Sequence, residues 1–382
     1  MIAAPSSRLP EFRLETHFSR WEFAARYNLT ASDAQTLTVA ELLALGSDDD
    51  RLAFAELGLG YGETWGADPL RAAIAATYEV CEPDDVLAFA GAEEAIYWLM
   101  QVLAGPGDHV VMTVPNYQSM ETVARAGGAE ASGVLLDESA GWRFDIDAVR
   151  AALRPNTRLV AVNFPNNPTG ALPDHETWRA LVQLCDERGI RLVADEVYRG
   201  LELDPSTRLP QAADLLPTAV SVNVMSKSYG LPGLRIGWVA CRDRAVLETL
   251  ERHKHYTSIC NAGPSEFLAT VALRAGERIQ ARNRDIIATN RSLFDVFFAA
   301  HADRFDWTPP DGGCVAYPRY RGADGVEAFC RDLVEQAGVL LLPASIYASD
   351  LAAAPTDRFR VGIGRRDPGP ALRAIEQFLV GR

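Results

Sequence analysis

The amino-acid sequence predicts an α/β protein: a large domain with a mostly parallel central sheet covered by helices, plus a smaller α+β domain. Three observations support this fold class. Between about residues 69 and 240, short strands alternate with helical stretches. The strands are apolar throughout, as expected for a parallel sheet that is buried on both faces. After about residue 276 the alternation stops and a different order of elements begins.

The elements of the large domain are placed by apolar periodicity and by turn residues. Helices are predicted at 70–80, 94–103 and 176–188. Strands are predicted at 109–113, 157–164, 191–194 and 219–224. Several of these strands are followed at once by polar residues. Open α/β sheets bind their ligands at the carboxyl edge of the strands, so these polar residues are candidates for a site.

The smaller domain is predicted from the last hundred residues. Helices are expected at 276–298, 326–337 and 370–380, and strands at 314–318, 339–342 and 358–363. The first fifty residues are polar and helical in pattern, with Trp21, Phe23 and Tyr27 as anchors, and they are too short to form their own core. The predicted organisation is an N-terminal segment (1–50) that packs on the small domain and the site, a large domain (51–280) and a small C-terminal domain (281–382).

Composition narrows the possible partners and the compartment. The chain of 382 residues has a net charge of −14, which argues against nucleic acid or an anionic membrane as a partner. Six scattered cysteines without a C-x-x-C pair indicate reduced thiols in a cytoplasmic protein. The N-terminus lacks the pattern of a signal peptide, and no apolar run approaches the roughly 20 residues of a membrane span. The histidines are isolated except His253 and His255, which are two residues apart and so do not share a helix face, and no metal site is expected.

Lys227 has an unusual setting. It follows an apolar strand and Ser226, and a loop rich in glycine and proline then leads to Arg235, eight residues later. A lysine at a strand end with few charged neighbours loses part of its solvation, which lowers its pKa and favours a nucleophilic amine. Taken alone, the segment also fits a structural lysine beside a β-turn.

Two further segments suit an anionic and a planar ligand. A turn of small residues at Gly91 and Ala92 runs into a helix that begins with two glutamates, Glu93 and Glu94, and free N–H groups at a helix N-terminus bind phosphate. Tyr117 follows a strand and is placed to stack on a planar ligand. Dipole-complementing glutamates and a packing tyrosine are the structural alternatives.

Three more segments carry polar side chains at strand ends or inside a strand. Asn167 lies in a rigid Asn-Pro turn after a strand. Asp195 ends an apolar strand, where a carboxylate is costly unless it is paired, and Tyr198 follows three residues later. Arg360 lies within an apolar strand, and its planar fork matches a carboxylate. For Arg358, two residues earlier, we expect an ordinary surface position.

In this order and spacing the segments resemble the fold-type I, pyridoxal-phosphate-dependent enzymes of the class I/II aminotransferase family, over about residues 61–360. The resemblance implies pyridoxal 5'-phosphate (PLP) as the cofactor of the large domain, a Schiff base on Lys227, and catalytic roles for Lys227, Asp195 and Tyr198. The cofactor contacts that it implies are Gly91, Ala92, Glu93, Tyr117, Asn167, Asp195, Tyr198, Ser226, Lys227 and Arg235. It also implies that Arg360 binds the substrate carboxylate.

The resemblance implies a homodimer with shared active sites, in which Tyr61 reaches the cofactor phosphate of the partner subunit. It implies an amino acid and a 2-oxo acid as substrates. The substrate contacts expected in addition to Arg360 are Asn167 and Trp21, and Tyr61, Tyr256 and Asn261 are further candidates for the pocket lining.

Departures from the family pattern leave the reaction open. Val224 stands where a serine or threonine phosphate ligand is common, with Ser226 as a possible substitute, and Ala344 stands where glycine is usual. Transamination is the leading hypothesis. A β-eliminating carbon–sulfur lyase, or an enzyme that cyclises or oxidises an amino acid, is the main alternative. A PLP-binding module of a transcription regulator is a remote one, because the first fifty residues do not resemble a DNA-binding domain.

Overall fold

A computed structural model describes residues 9–380 of the chain. The N-terminal residues, for which no signal peptide is expected, lie largely outside this described range. The strands are β1 Tyr27–Asn28, β2 Val86–Phe89, β3 His109–Val114, β4 Glu130–Leu135, β5 Thr157–Asn163, β6 Arg191–Asp195, β7 Val220–Val224, β8 Gly237–Ala240, β9 Phe305–Asp306, β10 Val315–Ala316, β11 Arg319–Tyr320, β12 Val339–Leu340, β13 Leu342–Pro343 and β14 Phe359–Gly362. The helices are α1 Arg13–Trp21, α2 Val39–Leu43, α3 Asp48–Ala55, α4 Asp68–Ala75, α5 Ala92–Leu103, α6 Gln118–Ala126, α7 Ile146–Ala152, α8 His175–Arg188, α9 Ala212–Leu215, α10 Arg244–Lys254, α11 Gly263–Arg274, α12 Gly276–Ala300, α13 Val326–Asp332 and α14 Gly369–Val380.

A seven-stranded sheet forms the centre of the large part of the chain, in the order β2-β8-β7-β6-β5-β3-β4. The pairs β4/β3, β3/β5, β5/β6 and β6/β7 are parallel, whereas β8 runs antiparallel to both β7 and β2. Strand β5 shows why the strands read as apolar throughout. Val160 and Val162 pack with Trp178 on one face, and Leu159 and Ala161 pack with helix α5 on the other. The predicted α/β class with a mostly parallel, helix-covered sheet is confirmed.

Smaller sheets organise the C-terminal part. Strands β10, β14 and β13 form an antiparallel sheet, and β9 pairs with β11. Strand β1 near the N-terminus pairs in parallel with β12, so the N-terminal segment is hydrogen-bonded to this part of the chain. Helix α12 is continuous across the predicted boundary at residues 280 and 281. The bounds of the three predicted domains stay a prediction.

Several sequence expectations were wrong in detail. The strand expected at 339–342 is two strands in different sheets. The helix expected at 326–337 is α-helical only to Asp332 and continues as a π-helical turn from Leu333 to Ala337. Helix is also absent from most of the segment between α1 and α2. Phe23, expected as an anchor, is 95% exposed and lies in the turn that follows the end of α1 at Trp21.

Arg358 also differs from expectation, because it is buried rather than on the surface. Its guanidinium donates to the carbonyl of Tyr317 at 2.8 Å and to the Glu138 carboxylate at 2.6 Å, and it lies 4.6 Å from the centre of the Trp142 ring. Pairing with a carboxylate and a ring offsets the cost of removing the cation from water. Arg358 is thus a structural arginine, separate from the site that Arg360 faces.

The described residues contain no disulfide: five of the six cysteines are buried, and Cys260 is half-buried. Within residues 9–380, no helix combines the length and the apolar character needed to cross a bilayer.

Candidate active site

The carboxyl edge of the central sheet gathers the predicted site residues. Strands β3, β5, β6 and β7 all end there because they are parallel. The chain therefore delivers Tyr117, Asn167, Asp195 and Lys227 to one edge. Strand β8 runs the other way, and its first residue, Gly237, pairs with the last residues of both β2 and β7. The loop before β8 consequently brings Arg235 to the same edge.

A cavity of about 510 Å³ opens at this edge. Its floor is formed by loops that follow the strands of the central sheet. Its other walls come from α1, from residues 31–33, from the first turns of α5, from Arg360 within β14 and from Arg365 beyond it. The residues that line it are Phe12, Leu14, Glu15, Phe18, Glu22, Ala31, Ser32, Asp33, Ala92, Glu93, Ile96, Tyr117, Asn163, Asn167, Asp195, Val197, Tyr198, Val224, Ser226, Lys227, Pro232, Arg235, Arg360 and Arg365.

Lys227 lies at the base of the cavity, with its amine held by hydroxyl and aromatic groups. Nζ donates to Oγ of Ser32 at 2.8 Å and lies 5.9 Å from the centre of the Tyr198 ring. Burial lowers the pKa of the Lys227 ammonium, an effect that the nearby Asp33 carboxylate opposes. An amine with a lowered pKa is available as a nucleophile and as a base.

Asp195 and Tyr198 present polar atoms that the protein leaves incompletely bonded. Oδ1 of Asp195 accepts the N–H of Val197 at 3.1 Å. Burial raises the pKa of Asp195 to about 6, and the positive charge of Lys227 only partly offsets this. The Tyr198 hydroxyl is buried and makes no hydrogen bond of ordinary geometry among the described residues; burial raises its pKa, and the nearby Ser32 hydroxyl partly opposes this. A buried carboxylate without a cation and a buried hydroxyl without a full hydrogen bond are both costly, so Asp195 suits a protonated ring nitrogen and Tyr198 a phenolic oxygen.

An anion cradle lies beside these groups. Helix α5 begins at Ala92, so the N–H groups of its first turn are free to bind a ligand. Gly91 precedes it with φ at +98°, and a Cβ at this position would lie 2.6 Å from Nη2 of Arg235. The glycine thus lets the guanidinium approach the helix N-terminus. A dianionic phosphate matches this combination of cation and N–H groups.

Arg360 is the second fixed cation of the cavity. Its side chain is fully buried, and it donates to Oδ1 of Asn167 at 3.2 Å and to the carbonyl of Thr30 at 2.7 Å. Tyr347 donates to the same Asn167 oxygen at 3.3 Å. Within residues 9–380, no carboxylate pairs with Arg360. A buried guanidinium without an anion is a ready site for a carboxylate ligand.

Most of the predicted site residues meet in this one cavity. Trp21 does not, because α1 turns Glu15, Phe18 and Glu22 toward the cavity instead. Tyr61 and Tyr256, 94% and 87% exposed, also lie outside the lining, as does the buried Asn261.

The sequence prediction placed the N-terminal segment (1–50) against the site, but it did not name the residues of α1 or of the loop from Thr30 to Asp33 that line the cavity, and it missed Arg365. Arg365 forms a two-pronged ion pair with Asp33, at 2.9 and 3.0 Å. Its position one residue after the Gly362-Ile363-Gly364 segment was the only signal of it, and that signal was weak.

The chain belongs to the class I and II aminotransferases, because residues 27–376 match the family described as "Aminotransferase class I and II". It is therefore a fold-type I, PLP-dependent protein. Capreomycidine synthase from Streptomyces vinaceus is 31% identical over 386 residues, which cover 99% of this chain and 96% of that protein.

Two solved structures are similar over the whole chain. A PLP-dependent aminotransferase from Streptococcus suis superposes with a TM-score of 0.90 at 29% identity, covering 98% of this chain and 99% of the other. The PLP-dependent cyclase OrfR gives the same TM-score at 25% identity, covering 100% and 99%.

Replacing Gly91 with alanine tests the anion cradle. We expect a loss of PLP affinity of about tenfold or more, because the added methyl displaces the Arg235 guanidinium and so removes a charge-assisted contact. Titration of the cofactor-free protein with PLP, followed by visible absorbance, measures the change. Gly107→Ala is the matched control: Gly107 has φ at +90° but open space around its Cβ. It should lose about 1–2 kcal/mol of stability from the backbone alone and keep its PLP affinity. Equal affinities in the two variants would contradict the cradle.

Proposed function

We propose that the protein is an aminotransferase that moves an amino group between an L-amino acid and a 2-oxo acid. One observation carries the proposal: Arg360, a buried guanidinium without an anion, faces the same cavity as the amine of Lys227. A carboxylate-binding group and a reactive amine in one cavity fit the α-carboxylate and the α-amino group of an amino acid.

The residues divide the work of holding the cofactor. Arg235 and the N–H groups at the start of α5 would hold the phosphate, with Ser226 in place of the common ligand that Val224 cannot supply. Asp195 would hold a proton on the ring nitrogen. Tyr198 and Asn167 would bind the phenolic oxygen, and Tyr117 would cover the ring. When bound in this way, PLP supplies an electron sink for negative charge at the substrate Cα.

Lys227 would carry out the proton transfer. Its Nζ reaches the cavity with a lowered pKa, so it can accept a proton from the substrate Cα and give it up at a different carbon in a second transfer. Ser32 would hold this amine in place between the two transfers, since it accepts a hydrogen bond from Nζ at 2.8 Å. Arg360, fixed by Thr30 and Asn167, would set the orientation of the Cα–H bond by clamping the carboxylate.

A cyclising reaction is the second candidate. Its support is the likeness over the whole chain to two proteins named for synthase or cyclase activity. The same residues serve either reaction up to the removal of the Cα proton, so the two candidates share a site and differ in the fate of the product.

Dependence on an acceptor separates the two candidates. We expect each amino-acid substrate to react only once per active site without a 2-oxo acid, and to be turned over repeatedly when pyruvate is added. The measurement is the stoichiometry of the 2-oxo acid product, with and without pyruvate. Repeated turnover without pyruvate, with a cyclic product or with ammonia release, would replace transamination by cyclisation or elimination.

We also propose that the protein is a cytoplasmic homodimer. Four large apolar side chains are exposed in the segments that precede α4 and α11: Leu59, Tyr61, Tyr256 and Ile259. A second subunit covering them would bring the partner subunit's Tyr61 toward this cavity. Six cysteines without a disulfide suit the reducing cytoplasm.

A further inference from the structure

The charges that line the cavity do not cancel once each proposed role is filled. The acidic members are Glu15, Glu22, Asp33, Glu93 and Asp195, and the basic ones are Lys227, Arg235, Arg360 and Arg365. Asp33 is paired with Arg365, Asp195 is assigned to the cofactor ring, and Arg235 to the phosphate. Arg360 is assigned to the substrate carboxylate, and Lys227 acts in the reaction itself as nucleophile and base. Three glutamates, Glu15, Glu22 and Glu93, are left without a cation.

Two of these glutamates flank the proposed carboxylate position. The Phe18 ring lies 5.9 Å from the guanidinium carbon of Arg360. Glu15 precedes Phe18 by three residues, and Glu22, which follows the end of α1 with helical backbone angles, comes four residues after Phe18, so the three side chains lie on one face. At 1.5 Å per residue, the two glutamates are about 10 Å apart along the helix. A substrate clamped by Arg360 under Phe18 therefore has a carboxylate on each side.

None of the three glutamates forms an ion pair within residues 9–380. Glu15 accepts the Tyr117 hydroxyl at 3.0 Å, and Glu93 accepts the Ser119 hydroxyl at 2.5 Å. The other oxygen of Glu93, Oε2, is buried without a partner in the described part of the chain. Burial raises the pKa of Glu93 to about 7, and the negative charge of Glu15 adds to this increase. Burial also raises the pKa of Glu22; Arg365 opposes this, but its Nε and Nη2 are already bonded to Asp33.

We infer that the cavity selects amino acids whose side chain ends in a cation, an ammonium or a guanidinium, with Glu15, Glu22 and Glu93 as the specificity determinants. The inference rests on the proposed function of the site. A long cationic side chain supplies the charge that the cavity lacks. A metal ion does not, because in the described part of the chain no three acidic, histidine or cysteine groups are close enough together to hold one.

Paired amino acids of matched shape test the inference in the holoenzyme. L-arginine is compared with L-citrulline, and L-lysine with L-norleucine, since each pair differs mainly in the terminal charge. We expect kcat/KM with pyruvate to favour the charged member of at least one pair by about tenfold or more, the size of one charge-assisted contact. Binding is measured separately by titrating each amino acid into PLP-loaded Lys227→Ala protein and following the visible absorbance. The same preference should be seen in this binding.

Variants assign the preference to the glutamates. Glu15→Gln, Glu22→Gln and Glu93→Gln should each lower the ratio of kcat/KM for the charged amino acid to kcat/KM for its neutral counterpart. A variant that merely destabilises the fold would lower both. Glu11→Gln is the matched control: it removes the same charge from an exposed residue just before α1, outside the cavity lining, and should change neither.

The possible outcomes separate the inference from the proposed function. Turnover of citrulline and norleucine as fast as arginine and lysine would overturn the cation preference and leave the proposed function standing. A preference that persists in all three glutamine variants would overturn the assignment to these residues. Failure of every amino acid to bind or react would overturn both proposals.

Discussion

Lys227→Ala is expected to lose turnover by about 10⁴-fold or more, because it removes both the nucleophile and the general base that one side chain supplies. The fold should survive the change. Lys227 lies at the base of an open cavity and donates one hydrogen bond, to Ser32. Steady-state turnover with pyruvate as acceptor measures the loss. Retained PLP would show that Arg235, Asp195 and the start of α5 hold the cofactor without the lysine.

The chain offers an unusual control for this experiment, since Lys227 and Lys254 are its only lysines. Lys254 is fully buried and donates to the carbonyls of Thr64 and Ala88, at 2.5 and 2.7 Å. Burial lowers its pKa to about 8, but it does not line the cavity. Borohydride reduction of the holoenzyme should therefore fix PLP to a peptide containing Lys227 alone. Labelling of Lys254, or near-normal turnover in Lys227→Ala, would contradict the assignment.

The central sheet was predictable from sequence because its strands are buried on both faces. A buried run such as Val220–Val224 is recognisable as a strand from its own residues, without knowledge of what it packs against. The short strands of the C-terminal part carry much less. Strands β12 and β13 are separated by Leu341 alone, and all of these residues are buried. An uninterrupted apolar run therefore read as one strand, although tertiary pairing divides it between two sheets.

The residues of the site were likewise predictable only in part. Asp195, Asn167 and Lys227 were predictable because each ends or follows a strand of the parallel sheet, and strand order alone brings such ends together. The contribution of α1 was not predictable in this way. Which face of α1 meets the cavity depends on how this helix docks against parts of the chain that are distant in sequence. The sequence prediction therefore named Trp21, whereas Phe18 is the residue that lines the cavity. The same holds for Arg365, which is held by Asp33 across more than three hundred residues of sequence.

Asp195→Asn is expected to lower turnover by about 10²–10³-fold, as for the loss of one preorganised electrostatic contact. Asparagine keeps the acceptor for the Val197 N–H but removes the charge that would hold a proton on the cofactor ring. Glu196→Gln is the matched control. Glu196 is the next residue, is equally buried and has a pKa raised by burial to about 7. Its carboxylate accepts from Ala212 and Ser221 rather than lining the cavity, so turnover should stay unchanged.

The same substitution should stabilise the cofactor-free protein, because the raised pKa of Asp195 is a cost of folding. The pKa of about 6 in the folded state lies above the ordinary value of 3.8, so the folded state binds the proton more tightly than the unfolded state. The cost is absent below about pH 4, grows as the pH rises to about 6, and is complete above it, at about 3 kcal/mol. Unfolding of the cofactor-free proteins should therefore show Asp195→Asn matching the wild type at pH 4 and exceeding it at pH 8. The difference should shrink when PLP is present, since the ring nitrogen then compensates the wild-type carboxylate. If the difference in unfolding free energy between Asp195→Asn and the wild type were no larger at pH 8 than at pH 4, Asp195 would not lie in the apolar setting that prepares it for a cationic ring.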